Sequence, residues 1–221
     1  MEDAFTNPKI IRIDIVSDVV CPWCVIGWKR LEGALAKYSG QVDFEIRWQP
    51  FLLNPQTPSG GLNHREHLAR KYGTTPEQSD VTRKRLTELG ESLGFAFNYT
   101  DNTCTYNTIR AHQLLHWAEG FGKTHALKMR LFQAYYSEQK AMDDVDTLVQ
   151  EAGVVGLNMA EARDVVENDK CETAVRAKHA HWTGRGISGV PAFIFDNRYL
   201  ISGGQETQVF EAQIDQIIAE S

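Results

Sequence analysis

The run Ile10-Ile-Arg-Ile-Asp-Ile-Val-Ser-Asp-Val-Val-Cys21-Pro22-Trp23-Cys24 passes from a β-branched stretch directly into a Cys-x-x-Cys. Branched side chains suit a pleated surface, so Ile10 to Val16 reads as a strand. After the cysteines, Trp28, Leu31, Leu35 and Tyr38 recur at spacings of three and four, the period of one helical face, and Gly40 supplies a stop. Val42 to Trp48 then alternates as a second strand. Strand, helix and strand in this order make a βαβ unit, whose strands are expected to be parallel neighbours joined by a right-handed crossover. The two thiols stand where the first strand hands over to the helix.

That position has a chemical use. A helix N-terminus holds unpaired N–H groups and about half a positive charge, which stabilise a thiolate. Cys21 is therefore the candidate nucleophile, and Cys24, one turn further, can attack a mixed disulfide on Cys21 and resolve it. Pro22 suits the first turn, where its missing N–H would have had no partner. Trp23, between the sulfurs, is a candidate substrate contact. The same pair also fits a non-enzymatic zinc-binding or redox-sensing module, but a structural zinc site wants a second closely spaced ligand pair, and Cys104 and Cys171 stand far apart. These two are expected to be free thiols, and no metal site is assigned.

Downstream, Pro50 to Gly61 is rich in Pro, Gly, Asn and Ser and reads as a long connection. Helical patterns follow from Thr75-Pro-Glu and over Thr108–Trp117, Thr124–Ser137, Val145–Ala152, Met159–Glu167 and Glu172–Thr183. Strand signals return at Ala192–Phe195 and Tyr199–Ile201, which flank Asp196-Asn197-Arg198 as an antiparallel hairpin. A last helix, Glu206 to Ala219, places Val209, Phe210, Ile214, Ile217 and Ile218 on its buried side. Because the strands lie at the two ends, they are expected to form one small sheet (residues 9–58 plus 186–221), with a helical cap inserted between them (59–185).

A chain of 221 residues can bury a core without disulfide staples. With 29 acidic and 23 basic residues, net −6, and no run of Lys or Arg to track a phosphate backbone, nucleic acid is not expected as a partner. No apolar stretch approaches the roughly 20 residues that cross a bilayer, so no membrane role is expected. Met1 to Lys9 lacks the cationic start and apolar segment of a secretory signal, so the chain is expected in the cytoplasm, where thiols are kept reduced.

His112 and His116 share a helix face, but no Glu completes an H-E-x-x-H, so they read as packed or surface residues, with His112 able to face the thiols from the cap. His64 and His67, in a Lys/Arg-rich segment, read as solvated; His179 and His181 point different ways. Asp18 either opposes thiolate formation or caps the turn, and it is given no catalytic role.

On the segments Ser17-Asp18-Val19-Val20-Cys21-Pro22-Trp23-Cys24 with Gly27, Gly189-Val190-Pro191-Ala192-Phe193 and Ser202-Gly203-Gly204-Gln205, the chain resembles the thioredoxin superfamily, and within it the DsbA-like, FrnE-type oxidoreductases. The resemblance covers nearly the whole chain, including Asn107-Thr108 and Ala111-His112-Gln113-Leu114. It implies an α/β thioredoxin fold, βαβ…ββα, with a large all-helical insertion. It implies a thiol–disulfide oxidoreductase with no bound cofactor, acting on a disulfide- or thiol-containing protein or small molecule. It also implies that Pro191 is cis and faces the cysteines, while Val190 offers backbone groups to the substrate. Pro22-Trp23 departs from the Pro-His of the DsbA enzymes and is closer to the Pro-aromatic pair of glutaredoxins, so a milder oxidant is expected.

Glutathione is the candidate co-substrate, with Val190, Ser202, Gly203 and Gly204 as its candidate contacts, since N–H groups at a helix start receive a carboxylate; two glycines also make an ordinary turn. Kappa-class glutathione transferases and 2-hydroxychromene-2-carboxylate isomerases share the layout, but they place a serine where Cys21 stands. The oligomeric state is not legible in the sequence.

Overall fold

The computed structural model describes residues 9–220. Of the polar N-terminal stretch read for a leader, all but Lys9 lies outside the described residues. In chain order β1 (Lys9–Ser17), α1 (Pro22–Ala36) and β2 (Val42–Pro50) come first. The insertion follows as β3 (Leu62–Asn63), α2 (His64–Tyr72), α3 (Pro76–Ser92), β4 (Cys104–Thr105), α4 (Ile109–Ala118), α5 (Thr124–Tyr136), α6 (Val145–Val154), α7 (Met159–Glu167) and α8 (Glu172–Gly184). The chain closes with β5 (Ala192–Phe195), β6 (Tyr199–Ser202) and α9 (Thr207–Ala219).

The main sheet has the order β2-β1-β5-β6. β2 runs parallel to β1, with Lys9 opposite Val42 and Ser17 opposite Pro50; β5 is antiparallel to β1 and β6 to β5. Both faces of β1 are covered, which explains its nearly continuous apolar run. Ile11, Ile13 and Ile15 pack in one large cluster with α1 and α9, while Val16 joins Phe51, Trp182, Ile187, Ala192 and Ile194 in a second. The hairpin turns through Asp196 and Asn197 at φ 46° and 58°, a left-handed conformation that short polar side chains tolerate. Asp196 Oδ1 also accepts a hydrogen bond from the Arg12 N–H at 2.9 Å.

Two readings of the sequence are corrected. Val209 and Ile218 of α9, expected on the buried side, are 42% and 36% exposed, because the true stripe is Phe210, Ile214 and Ile217. The Lys/Arg-rich segment is helix α2, which buries no residue and so shows no apolar stripe. It is held instead by its ends. Asn63 caps it, accepting from the N–H groups of Arg65 and Glu66, and Gly73 ends it at φ 67°. The adjoining α3 starts with a reciprocal capping box between Thr75 and Gln78.

The larger core does not stop at the edge of the sheet. It runs from Ile13 and Leu31 through Leu86 of α3 to Leu114, Phe132, Leu148 and Val166 of α4 to α7. Sheet and insertion therefore share one buried cluster.

Candidate active site

β1 ends at Ser17, and three residues later the chain turns into α1, with Cys21 as its N-cap and Pro22 opening the helix. Cys21 is 4% exposed and Cys24 1%, both as free thiols. The Cys21 Sγ–H donates to the Val190 carbonyl at 3.5 Å, and the Val190–Pro191 peptide is cis. Pro191 is buried against α1: a β-carbon added at Gly27 would meet Pro191 Cγ at 3.1 Å and Phe193 Cζ at 2.9 Å. The structure thus brings Cys21, Pro22, Trp23, Cys24, Val190 and Pro191 into one place.

The two thiols lie close enough to shift each other. Burial and the neighbouring Cys24 push the Cys21 thiol well up. Burial also acts against a Cys24 thiolate, but the adjoining Cys21 thiol and the Lys128 ammonium outweigh it and hold Cys24 below the usual thiol range. In this reduced pair the Cys21 sulfur is enclosed and bonded to a carbonyl, while Cys24 lies on the side of the Lys128 ammonium.

Behind Cys24 lies a polar cluster that sequence reasoning missed. Asp18 is fully buried; its Oδ2 accepts from the Leu53 N–H at 2.8 Å, and Oδ1 faces His112 Nε2 in a looser contact of 3.4 Å. Burial alone would raise the Asp18 carboxyl, but His112, Leu53 and Lys128 together lower it. His112 is lowered, by burial first, so the pair is a carboxylate beside a neutral imidazole. Lys128 of α5 is 1% exposed, with its ammonium 5.3 Å from the Trp48 ring and 4.9 Å from that of Phe132. Burial brings it down to about 8, with Cys24, Asp18 and Cys21 pulling the other way.

Cys21 opens into a cavity of about 400 Å³, walled by Val20, Trp23, Leu53 and Val190 on one side and by α2 and α3 of the insertion on the other. His64 and His67, read as solvated, line it instead; His64 is half-buried and lowered to about 4 by burial and by Arg83. Ser202, Gly203 and Gly204 do not line it. The Gly203 N–H donates to the Pro191 carbonyl at 2.8 Å, and Gly204 packs beneath α1, its carbonyl accepting from Arg30 Nη1 at 2.6 Å. A second hollow, about 610 Å³, follows β2 past His125 and Lys178 and does not reach the cysteines.

The remaining candidates separate. His112 turns to Asp18, whereas His116 Nδ1 faces Lys178 Nζ at 3.0 Å and Glu119 at 3.1 Å, so the two do not converge. Cys104 donates to the Asn102 carbonyl, and Cys171 lies at the start of α8; both are free. His179 faces the Leu52 N–H, while His181 is exposed. Among the described residues no helix is long and apolar enough to cross a membrane.

Residues 12–215 match the family model of the DSBA-like thioredoxin domain. The chain is 30% identical over 206 residues to the uncharacterized protein YwbO of Bacillus subtilis, covering 92% of this chain and 96% of that protein. The crystal structure of a probable DsbA oxidoreductase, SCO1869 of Streptomyces coelicolor, superposes with a TM-score of 0.90 at 29% identity, over 96% of this chain and 91% of that one. The cytosolic disulfide reductase DsbM of Pseudomonas aeruginosa, solved with GSH, shares the fold at a TM-score of 0.65 and 18% identity, over 94% and 99% of the two chains.

Proposed function

Since the chain belongs to the family of DsbA-like thioredoxin domains, we propose that it is a thiol–disulfide oxidoreductase in which Cys21 exchanges with substrate and Cys24 resolves. The carrying observation is the stacking of the two sulfurs: Cys21 faces the cavity and the Val190 carbonyl, and Cys24 lies behind it against Ser17 and Lys128.

Cys21 Sγ gives its proton to the Cys24 thiolate and attacks one sulfur of a substrate disulfide. A mixed disulfide forms and the other substrate sulfur leaves as a thiolate. Cys24 then passes its proton to the first substrate thiolate and attacks Cys21 Sγ, closing the Cys21–Cys24 disulfide and expelling the second substrate sulfur as a thiolate. Two electrons pass from the pair to the substrate, and the reverse sequence oxidises a dithiol. The unpaired N–H groups of α1 stabilise negative charge on Cys21 as it attacks. Val190 and Pro191 seat the substrate sulfur opposite. No bound cofactor is required, and glutathione enters this scheme as a thiol or disulfide co-substrate.

The test uses single variants. Cys21→Ser is expected to abolish exchange, while Cys24→Ser retains attack and accumulates a mixed disulfide visible as a mass increase. Equal activity of both variants would remove the assignment. Glutathione-dependent transfer or isomerisation without a dithiol would instead survive Cys24→Ser with turnover intact. Stoichiometric zinc in the reduced protein would point to the non-enzymatic module.

A further inference from the structure

We infer that the cavity in front of Cys21 selects small anionic substrates: a disulfide or thiol whose sulfur is carried on an apolar or aromatic group bearing a carboxylate. The inference rests on the oxidoreductase reading and adds the substrate class to it.

Enclosure sets the size. Cys21 is 4% exposed, and its outlet is a space of about 400 Å³ between α1 and the helices α2 and α3, within the range of small-ligand pockets. A sulfur set this deep reaches a compact molecule more readily than a disulfide on the face of a folded protein.

Charge sets the sign. The chain as a whole is acidic, at net −6, yet the cavity wall contains no Asp or Glu and does contain Lys71 and Arg83. Arg83 is 7% exposed and has no carboxylate in ion-pair contact among the described residues. Its Nη1 donates to the Thr100 carbonyl at 2.9 Å, its Nη2 approaches His64 Nδ1 at 3.5 Å, and its Nε is buried without a partner. The nearby carboxylates of Asp80 and Asp101 are engaged by Arg65, at 2.5 and 3.3 Å. Lys71 donates only to oxygens of neutral groups, the Leu53 carbonyl at 3.1 Å and Asn54 Oδ1 at 2.9 Å. His64, lowered by burial and by Arg83, stays neutral beside it.

A buried guanidinium without a counter-charge is costly, and a ligand anion offsets that cost. Apolar walls complete the match. Trp23, Leu53, Leu68, Leu86 and Tyr99 line the same space, and Arg85 stands 5.8 Å from the Trp23 ring. The same cations favour departure of a substrate thiolate generated by attack of Cys21.

The experiment measures stopped-flow rates of the reduced protein with two aryl disulfides: dithiobis-nitrobenzoate, which carries a carboxylate on each ring, and neutral dithiodipyridine. Each rate is divided by that of β-mercaptoethanol with the same reagent, which removes intrinsic reactivity. The normalised anionic-to-neutral ratio is expected to exceed about 10 at low ionic strength and to fall as salt screens the cations. Lys71 is exposed, so its replacement leaves the fold in place. In Lys71→Gln the ratio is expected to drop about three- to tenfold, whereas Lys71→Arg preserves it. A ratio near one, indifferent to salt and to Lys71→Gln, would overturn the selectivity while leaving exchange at Cys21 intact. Failure of the protein to react with either reagent would overturn the oxidoreductase reading and this inference together.

Discussion

An ammonium group set among aromatic rings loses most of its hydration, and Lys128 carries one beneath the cysteine pair. Brought down to about 8, it is still charged at neutral pH and stabilises negative charge on Cys24. Lys128→Met is therefore expected to raise the Cys24 thiol and cut its thiolate population at neutral pH by about tenfold, read from thiolate absorbance. The reduced form loses that stabilisation, so the disulfide becomes harder to reduce and the potential moves to a more negative value. An unaltered absorbance titration would show that the cation does not act on the pair. Cys21 and Cys24 were legible in the sequence because their relation is local. Lys128 was not, since a lysine is ordinarily assigned to solvent; its signal was its place on the stripe with Leu131, Phe132 and Tyr135, all buried. Arg83 gives the same signal among Ser79, Leu86 and Gly90 of α3. The Asp18–His112 contact, between the turn after β1 and α4, is set by tertiary packing alone.

Among the elements, α1 has little freedom, because its inner face is pressed on the segment that carries Pro191. A methyl group at Gly27 would overlap Phe193 and crowd Pro191. Gly27→Ala is expected to cost about 1–3 kcal/mol in urea unfolding, as overpacking does. It should also slow mixed-disulfide formation, because relief of the clash moves Pro191 away from Cys21. Lost stability with an unchanged exchange rate would mean that the proline loop keeps its place independently of α1. Elements with a buried stripe, such as α1, β1 and α5, were readable from periodicity. α2 was not, because its ends rather than a face hold it; nor was the two-residue pairing of β3 with β4, whose register is set by residues more than 40 positions apart. α2 supplies His64, His67 and Lys71 to the cavity, so the unreadable element carried the unreadable half of the site.

For the whole molecule, the histidines set the response to acid. His64 is lowered to about 4, and His67, His112, His125 and His179 are lowered too, burial being the first cause in each. Between their unfolded value of 6.5 and their folded values, the unfolded chain binds more protons, so stability falls as pH falls. The depressed carboxyls, Asp18 and Asp144 and also Glu138 at about 2, add a further loss at lower pH. The melting temperature is thus expected to decline already between about pH 6.5 and 5, ahead of ordinary carboxylate titration, and His64→Gln should flatten part of that decline. A melting temperature constant over that interval would contradict the histidine assignment.

The buried cluster that runs from β1 through α3 into α4 to α7 has a consequence for descent. An insertion exchanged into this chain as a cassette would arrive with half of a core fitted to another sheet. New specificity has to accumulate by single replacements on the cavity wall, with α2 the most permissive place for them, because it lends the site its side chains while burying none of its own residues.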